Sequence, residues 1–329
     1  MRGFQIYGCT DRGAVRPINE DHILVGRFIK NRGGLSMYIS HDDDFTENYG
    51  LLFAVADGIG GENAGEVASK MALTAFERQF YGIEKRGQDN EAFINTLLSS
   101  AKRANETLLQ IASAKPELSG MGCTISGICI MSNGFLIFNA GDSRVYRYRN
   151  GFLTLLTKDD TVTNLAVQAG SMSYEDAQRS DARHTLTNSL GTDSFTLKIE
   201  TGPEIRDSDI ILVSSDGLHD MVGQDQLEGL IGQNGTVEQI ANRLLKQAIQ
   251  NGGHDNISII LVRSDMFEEE TGWHHQHASI TTETNTVSTD NKTGIKEIVT
   301  IDTTEKHNET VVRETTTEEE SNTIEIEGS

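Results

Sequence analysis

Cysteine is scarce in this 329-residue chain, which has only Cys9, Cys123 and Cys129. Each sits beside small or apolar residues, so the three read as buried, reduced thiols rather than a disulfide framework or a zinc site. Cationic residues are also in short supply: 28 Lys and Arg stand against 49 Asp and Glu, a net charge of −21. Phosphate backbones and anionic lipid surfaces are held by a cationic surplus, which argues against nucleic-acid and membrane partners. No apolar run approaches the length of a membrane span. The opening "MRGFQIYGCTDRG" lacks a charged start followed by a long apolar region, so no signal peptide is expected and a cytoplasmic location is.

What the chain does have is a series of short β-type runs, among them "FQIYGCT", "GLLFAVA", "CTISGICIM", "GFLIFNA", "RVYRYR", "DIILVSS" and "ISIILV". Asn133-Gly134 and Asn150-Gly151 are two-residue hairpin turns, so the sheets are expected to be mainly antiparallel. Residues 62–81 and 90–114 carry apolar side chains at helical spacing. A third helix opens on Thr236 and Gln239 as a capping box and stops at Gly252-Gly253. Strand runs interrupted by helices in pairs predict an α+β layered sandwich.

Two segments break the pattern. Between Lys158 and Asp193 periodicity fades, with one short helix expected from Ser173 to Arg179; a long irregular stretch of this kind suggests a flap, about 159–193, beside a functional site. From residue 264 onward the chain is rich in Thr and acid, with 16 acidic against 4 basic residues. Such a segment cannot bury enough surface to offset its ordering entropy, so 264–329 is expected to be a disordered tail after a folded 1–263. Its "WHHQH" at 273–277 reads as surface histidines.

Carboxylates recur at strand ends. "LLFAVADGIGG" ends on Asp57, "FLIFNAGDSR" on Asp142 and "IILVSSDGLHD" on Asp216 with Asp220 following, while Asp255 precedes a strand and Glu20-Asp21 follow Arg16. A single Asp-Gly at a strand end is equally a tight turn, since Gly supplies positive φ and Asp satisfies local amides. Repetition favours acidic ligands converging on one sheet edge. An all-oxygen donor set suits Mg²⁺ or Mn²⁺, and neither H-E-x-x-H nor a paired C-x-x-C is present. Clustered acids repel one another unless cations are bound, and two such cations would activate a water for displacement at phosphorus. Arg16 then suits a phosphate dianion, with an ion pair to Glu20 or Asp21 as the plainer alternative.

In order along the chain, "RPINEDH", "FAVADGIGGENAGEVAS", "GCTISGICI", "NAGDSRVYRYRNG", "LTNSLG", "ILVSSDGLHDMV" and "GGHDNISIILV" resemble the metal-dependent serine/threonine phosphatases of the protein phosphatase 2C class, in their bacterial form. The resemblance implies a four-layer αββα sandwich of two antiparallel sheets flanked by helices. It implies Mn²⁺ or Mg²⁺ as two ions, with a third bound more weakly. Asp57 would bridge two ions, the Gly58 carbonyl would join one of them, and Asp216 with Asp255 would complete the coordination of the second ion. Glu20, with Asp21 nearby, would hold a coordinated water, Arg16 the phosphate, Asp142 with Asp220 the third ion, and Asn256 would support the site. Arg144 is expected to be structural.

Two positions depart from the pattern. Ile59 stands where animal members carry a His general acid, so the proton for the leaving alkoxide is expected from a metal-coordinated water. Asp160 stands where many relatives carry His. The implied activity is hydrolysis of phosphoserine and phosphothreonine on protein substrates, opposing a cognate Ser/Thr kinase. The acidic, Thr-rich tail offers a kinase target for a phosphothreonine-binding domain, although a plain solvated extension is the simpler reading. The alternatives are a phosphopeptide-binding pseudophosphatase on the same fold and a two-metal phosphodiester hydrolase. No cysteine has the Arg six positions later that a Cys-x5-Arg phosphate loop needs.

Overall fold

The computed structural model describes residues 2–40, 43–60, 64–132, 134–266 and 311–315. One antiparallel sheet runs in the order β11 (Phe152–Leu155), β10 (Arg144–Arg149), β13 (Ile210–Ser214), β14 (Ile257–Met266), β1 (Arg2–Asp11), β4 (Gly33–Ser40) and β15 (Val311–Thr315). The second runs β12 (Lys198–Thr201), β9 (Gly134–Ala140), β8 (Ile125–Met131), β5 (Leu51–Ala56), β2 (His22–Val25) and β3 (Phe28–Lys30). A two-residue pair, β6 (Gly58–Ile59) with β7 (Gly122–Cys123), stands apart from both.

Side-chain alternation sends the two faces of each central strand into different cores. In β5, Leu51, Phe53 and Val55 enter the core between the sheets. Leu52, Ala54 and Ala56 face the other way, against α2 (Ala64–Tyr81) and α3 (Asn90–Ala114). In β14, Ile260 and Val262 point between the sheets, while Ile257, Ile259 and Leu261 pack under α6 (Asp216–His219), α7 (Gln224–Ile231) and α8 (Val237–Gln250). Three cores separating four layers give the expected αββα sandwich. Strands buried on both faces explain why these runs read as continuously apolar rather than alternating.

Local chemistry sets the element ends. Asn150 and Gly151 take φ of 52° and 90°, as the tight β10–β11 hairpin demands. The Thr236–Gln239 capping box forms in full at α8, whose Ile240, Ala241 and Leu244 are completely or nearly buried. Burial of each large side chain there stabilises by roughly 1.5–3 kcal/mol.

Several details differ from the sequence reading. Helix α2 is described from Ala64, residues 62 and 63 of the expected helix lying outside the described residues, and the flap holds α4 (Val162–Gln168) as well as the expected α5 (Tyr174–Arg179). The short α1 (Asp44–Tyr49), α6 and α7 and the strand β12 carry too few periodic positions to stand out in sequence. Strand β14 continues to Met266, because Asp265 and Met266 still pair with Gly3 and Arg2. Val311–Thr315, expected within a disordered tail, instead pairs antiparallel with β4. Thr316, Thr317 and the histidines of 273–277 lie outside the described residues.

Candidate active site

The acids gather at one end of the sandwich because strand ends and their turns deliver them there. Asp57 follows β5 directly, and its backbone is fixed twice by Thr124: Asp57 N donates to Thr124 Oγ1 (3.0 Å) and Thr124 N donates to Asp57 O (2.9 Å). Gly58 is packed so closely that a Cβ would lie 2.2 Å from Gly65 O and 2.7 Å from Glu20 O. The backbone just after β5 thus touches both the first turn of α2 and the Glu20 segment, an approach only glycine permits. Asp142 follows β9, Asp216 opens α6 after β13, Asp220 ends α6, and Asp255 precedes β14.

Asn256 pins the remaining loop. Its Oδ1 accepts from Glu20 N (2.8 Å), and its Nδ2 donates to Arg12 O and Ile18 O (2.9 Å each), closing residues 12–20 against the site. Arg16 pairs with neither Glu20 nor Asp21. Its Nη2 donates to Asp255 Oδ2 at 2.6 Å, and with 45% of its side chain exposed it keeps a solvent-facing approach. Ile59, 37% exposed, follows Gly58 in β6 and pairs with Gly122.

The electrostatics are those of too many acids in one place. Burial, and then Asp21, Asp216, Asp142 and Asp255, push the Asp57 carboxyl well above its ordinary range. Burial followed by Asp216 and Asp159 does the same to Asp142, which is 7% exposed. Asp21 is fully enclosed. The hydroxyls of Ser215 and Ser258 face it without reaching hydrogen-bond geometry, and burial wins, raising it to about 7. Burial acts upward on Asp216 too, but contacts with His184, His219 and Asp57 outweigh it and leave the group lowered. Burial also raises Glu20 against the opposing pull of Arg16.

His184, from the flap, was not singled out by the sequence reading. Its Nε2 lies 3.1 Å from Asp220 Oδ2 and its Nδ1 3.5 Å from Asp216 Oδ2. Asp142, His184 and Asp216 each present a ligand atom within 4.8 Å of the others. The resemblance grouped Asp142 with Asp220; the geometry groups it with Asp216 and His184, and Asp220 reaches the cluster through His184. The available sequence signal was a lone His beside "TLTNSLG" in a weakly patterned segment, too common a feature to mark a site. Arg144, as expected, is structural: its guanidinium makes a bidentate contact with Asp159 and reaches Tyr146 Oη.

The residues present fit divalent cations. Asp216 Oδ1 and both Asp21 oxygens are buried with no hydrogen-bond partner, and buried polar atoms are normally satisfied. An oxygen-rich cluster of enclosed acids with unused lone pairs suits a hard ion.

The protein phosphatase 2C profile matches residues 39–254. The chain belongs to the protein phosphatase 2C family. It is 30% identical to the serine/threonine phosphatase Stp of Listeria monocytogenes, across 79% of this chain and 96% of that protein. It is 32% identical to the serine/threonine protein phosphatase PstP of Mycobacterium tuberculosis, across 77% of this chain and 43% of that protein. The fold matches the Streptococcus agalactiae serine/threonine phosphatase with a TM-score of 0.68, at 26% identity over 79% of this chain and 99% of that one. It also matches the PstP catalytic domain solved with two manganese ions, with a TM-score of 0.62, at 28% identity over 80% of this chain and 100% of that one. Metal-dependent protein serine/threonine phosphatase activity follows from family membership together with the acidic centre. Among the described residues no helix is long and apolar enough to cross a membrane.

Proposed function

We propose that Asp57, Asp216 and Asp255 hold two Mn²⁺ or Mg²⁺ ions, with the Gly58 carbonyl as a further ligand, and that Asp142 with His184 and Asp216 holds a third. The supporting observation is the set of enclosed, partnerless carboxylate oxygens of Asp21, just before β2, and Asp216, at the start of α6, beside an Asp57 whose carboxyl is pushed up by burial and by Asp21 and Asp216. Bound divalent ions supply positive charge and acidify coordinated water, which turns it into a nucleophile at neutral pH. The chain's own residues do the rest. Arg16 swings from Asp255 to bind the phosphate dianion through its guanidinium fork. Glu20, held by Asn256 and facing Gly65 at the start of α2, orients the attacking water. The fixed backbone around Asp57 keeps the acids preorganised, so little rearrangement is needed at the moment of reaction. Ile59 offers no proton to the leaving oxygen.

Substrates of this class are made by protein Ser/Thr kinases, so such a kinase is the source of the phosphoproteins consumed here. Three buried free thiols, Cys9, Cys123 and Cys129, suit a reducing compartment, and we place the reaction in the cytoplasm. We take 1–263 as the catalytic region, with β14 closing just beyond it, and 264–329 as an acidic appendage available for modification.

The test is hydrolysis of p-nitrophenyl phosphate and a phosphothreonine peptide with and without Mn²⁺, beside Asp57→Asn. Mn²⁺-dependent turnover lost in the variant is the expected result. Calorimetric Mn²⁺ binding without turnover on either substrate would make the chain a phosphopeptide-binding protein instead.

A further inference from the structure

We propose that Asp160 and Lys198 form a positioning pair that fixes the root of the flap against the turn bearing Asp142, and so sets where His184 meets the acidic cluster. The flap leaves and returns through two paired limbs: Val162 N donates to Thr185 O (2.9 Å), Thr187 N donates to Asp160 O (2.8 Å), and Thr161 bridges Leu186. His184 immediately precedes this pairing in the returning limb, so its reach to Asp216 and Asp220 depends on how the limbs are seated.

Asp160 does the seating. It is 5% exposed, its N donates to Gly141 O (2.9 Å), and its Oδ2 accepts from Gly141 N (3.3 Å) and Asn188 Nδ2 (2.8 Å). Lys198 Nζ, on β12, donates to Oδ1. Asn188 is itself held by Thr196, accepting from its N (3.1 Å) and donating to its O (2.8 Å). One carboxylate therefore ties the turn after β9, both ends of the flap and β12 together. Gly141, at φ +111°, presses on Thr124 so tightly that a Cβ would lie 2.6 Å from Thr124 Cγ2, and Thr124 is the residue that fixes Asp57. A loosened flap root would thus be felt at Asp142, at Asp57 and at His184 together. A buried carboxylate served only by neutral donors is costly to keep ionised, which gives Lys198 its place. An amide at position 160 would turn an NH₂ group toward either Lys198 or the donors Gly141 N and Asn188.

The test uses the full chain with Asp160→Asn, Lys198→Met, the double variant and Lys198→Arg. Flap opening is read as the rate of tryptic cleavage at Arg179 and Arg183 in EDTA, and kcat and KM on p-nitrophenyl phosphate are read with Mn²⁺. Each single variant should raise flap cleavage and lower kcat by about tenfold with KM little changed, the double should be no worse than the worse single, and Lys198→Arg should restore both readouts. Wild-type cleavage and kcat in Lys198→Met, or simple additivity in the double, would overturn the pair. If Asp160→Asn does not fold, the half-exposed Lys198 variants decide alone. The EDTA arm does not depend on which residues bind the ions, so a wrong ligand assignment would leave it intact while altering only the kcat arm.

Discussion

Gly58→Ala is a one-methyl perturbation whose consequence can be worked out from the packing. The added Cβ would sit 2.2 Å from Gly65 O, 2.4 Å from Gly65 C and 2.7 Å from Glu20 O. Ordinary contact begins near 3.4 Å, and all three neighbours are backbone atoms, so no side chain can rotate aside. Relief requires about 1 Å of relative movement between the β6 loop, the first turn of α2 and the Glu20 segment. Overpacking of this kind costs roughly 1–3 kcal/mol in stability. That corresponds to a fall in Tm of about 2–4 °C per kcal/mol for a domain of this size. The larger effect is on catalysis, because a misplacement near 1 Å at a reacting centre costs about 10²-fold in rate. Gly58→Ala is therefore expected to fold, to lose about 10²-fold in kcat on p-nitrophenyl phosphate, and to bind Mn²⁺ more weakly by calorimetry.

Gly229→Ala is the matched control. Gly229 lies on the exposed face of α7, where an added Cβ meets nothing within 4 Å. Replacing a mid-helix glycine by alanine there should stabilise by about 0.5–1 kcal/mol and leave kcat untouched. Wild-type kcat and Mn²⁺ affinity in Gly58→Ala would refute the claim that this backbone approach holds the Asp57 loop in place.

Three further outcomes are expected. Arg16→Ala removes a charge-assisted contact with phosphate worth about 1.5–3 kcal/mol, so kcat/KM on a phosphothreonine peptide should fall roughly 10–100-fold; an unchanged value would mean Arg16 serves Asp255 alone. Burial and mutual repulsion raise Asp57 and Asp142, and raise Asp21 to about 7, so in the metal-free protein these acids hold protons more tightly folded than unfolded. The stability they confer is present below the unfolded value and is lost as pH rises through the folded ones, while Mn²⁺ must displace their protons to bind. Mn²⁺ affinity should accordingly climb from pH 5 to pH 7, by up to about tenfold per pH unit for each proton displaced, and a flat calorimetric profile would contradict this. Ile59→His places a titratable group next to Gly58 and should add a limb to the pH–rate profile; an unaltered profile would show that position 59 does not face the leaving oxygen.

The sandwich was legible because its signals are local and redundant. The continuous apolar runs of β5 and β14, the Asn150-Gly151 turn and the Thr236 capping box each act within a few residues, so sequence order is enough to read them. The gathering of Asp21, Asp57, Asp142, Asp216 and Asp255 was legible for a related reason, since each flanks an apolar strand whose direction is set by the core. What escaped is what depends on the third dimension. Arg16 faces Asp255, 239 positions away, rather than its sequence neighbours Glu20 and Asp21. His184 and Asp160 lie in a segment with no periodicity, where no pattern reports that one carboxylate gathers Gly141, Asn188 and Lys198. A flap root assembled from four separated segments leaves no short motif behind, because its specificity resides in a single buried charge and in the donors that happen to converge on it. The positions hardest to read from this chain are thus those that couple the irregular flap to the paired sheets, and they are also where substitution should separate catalysis from stability.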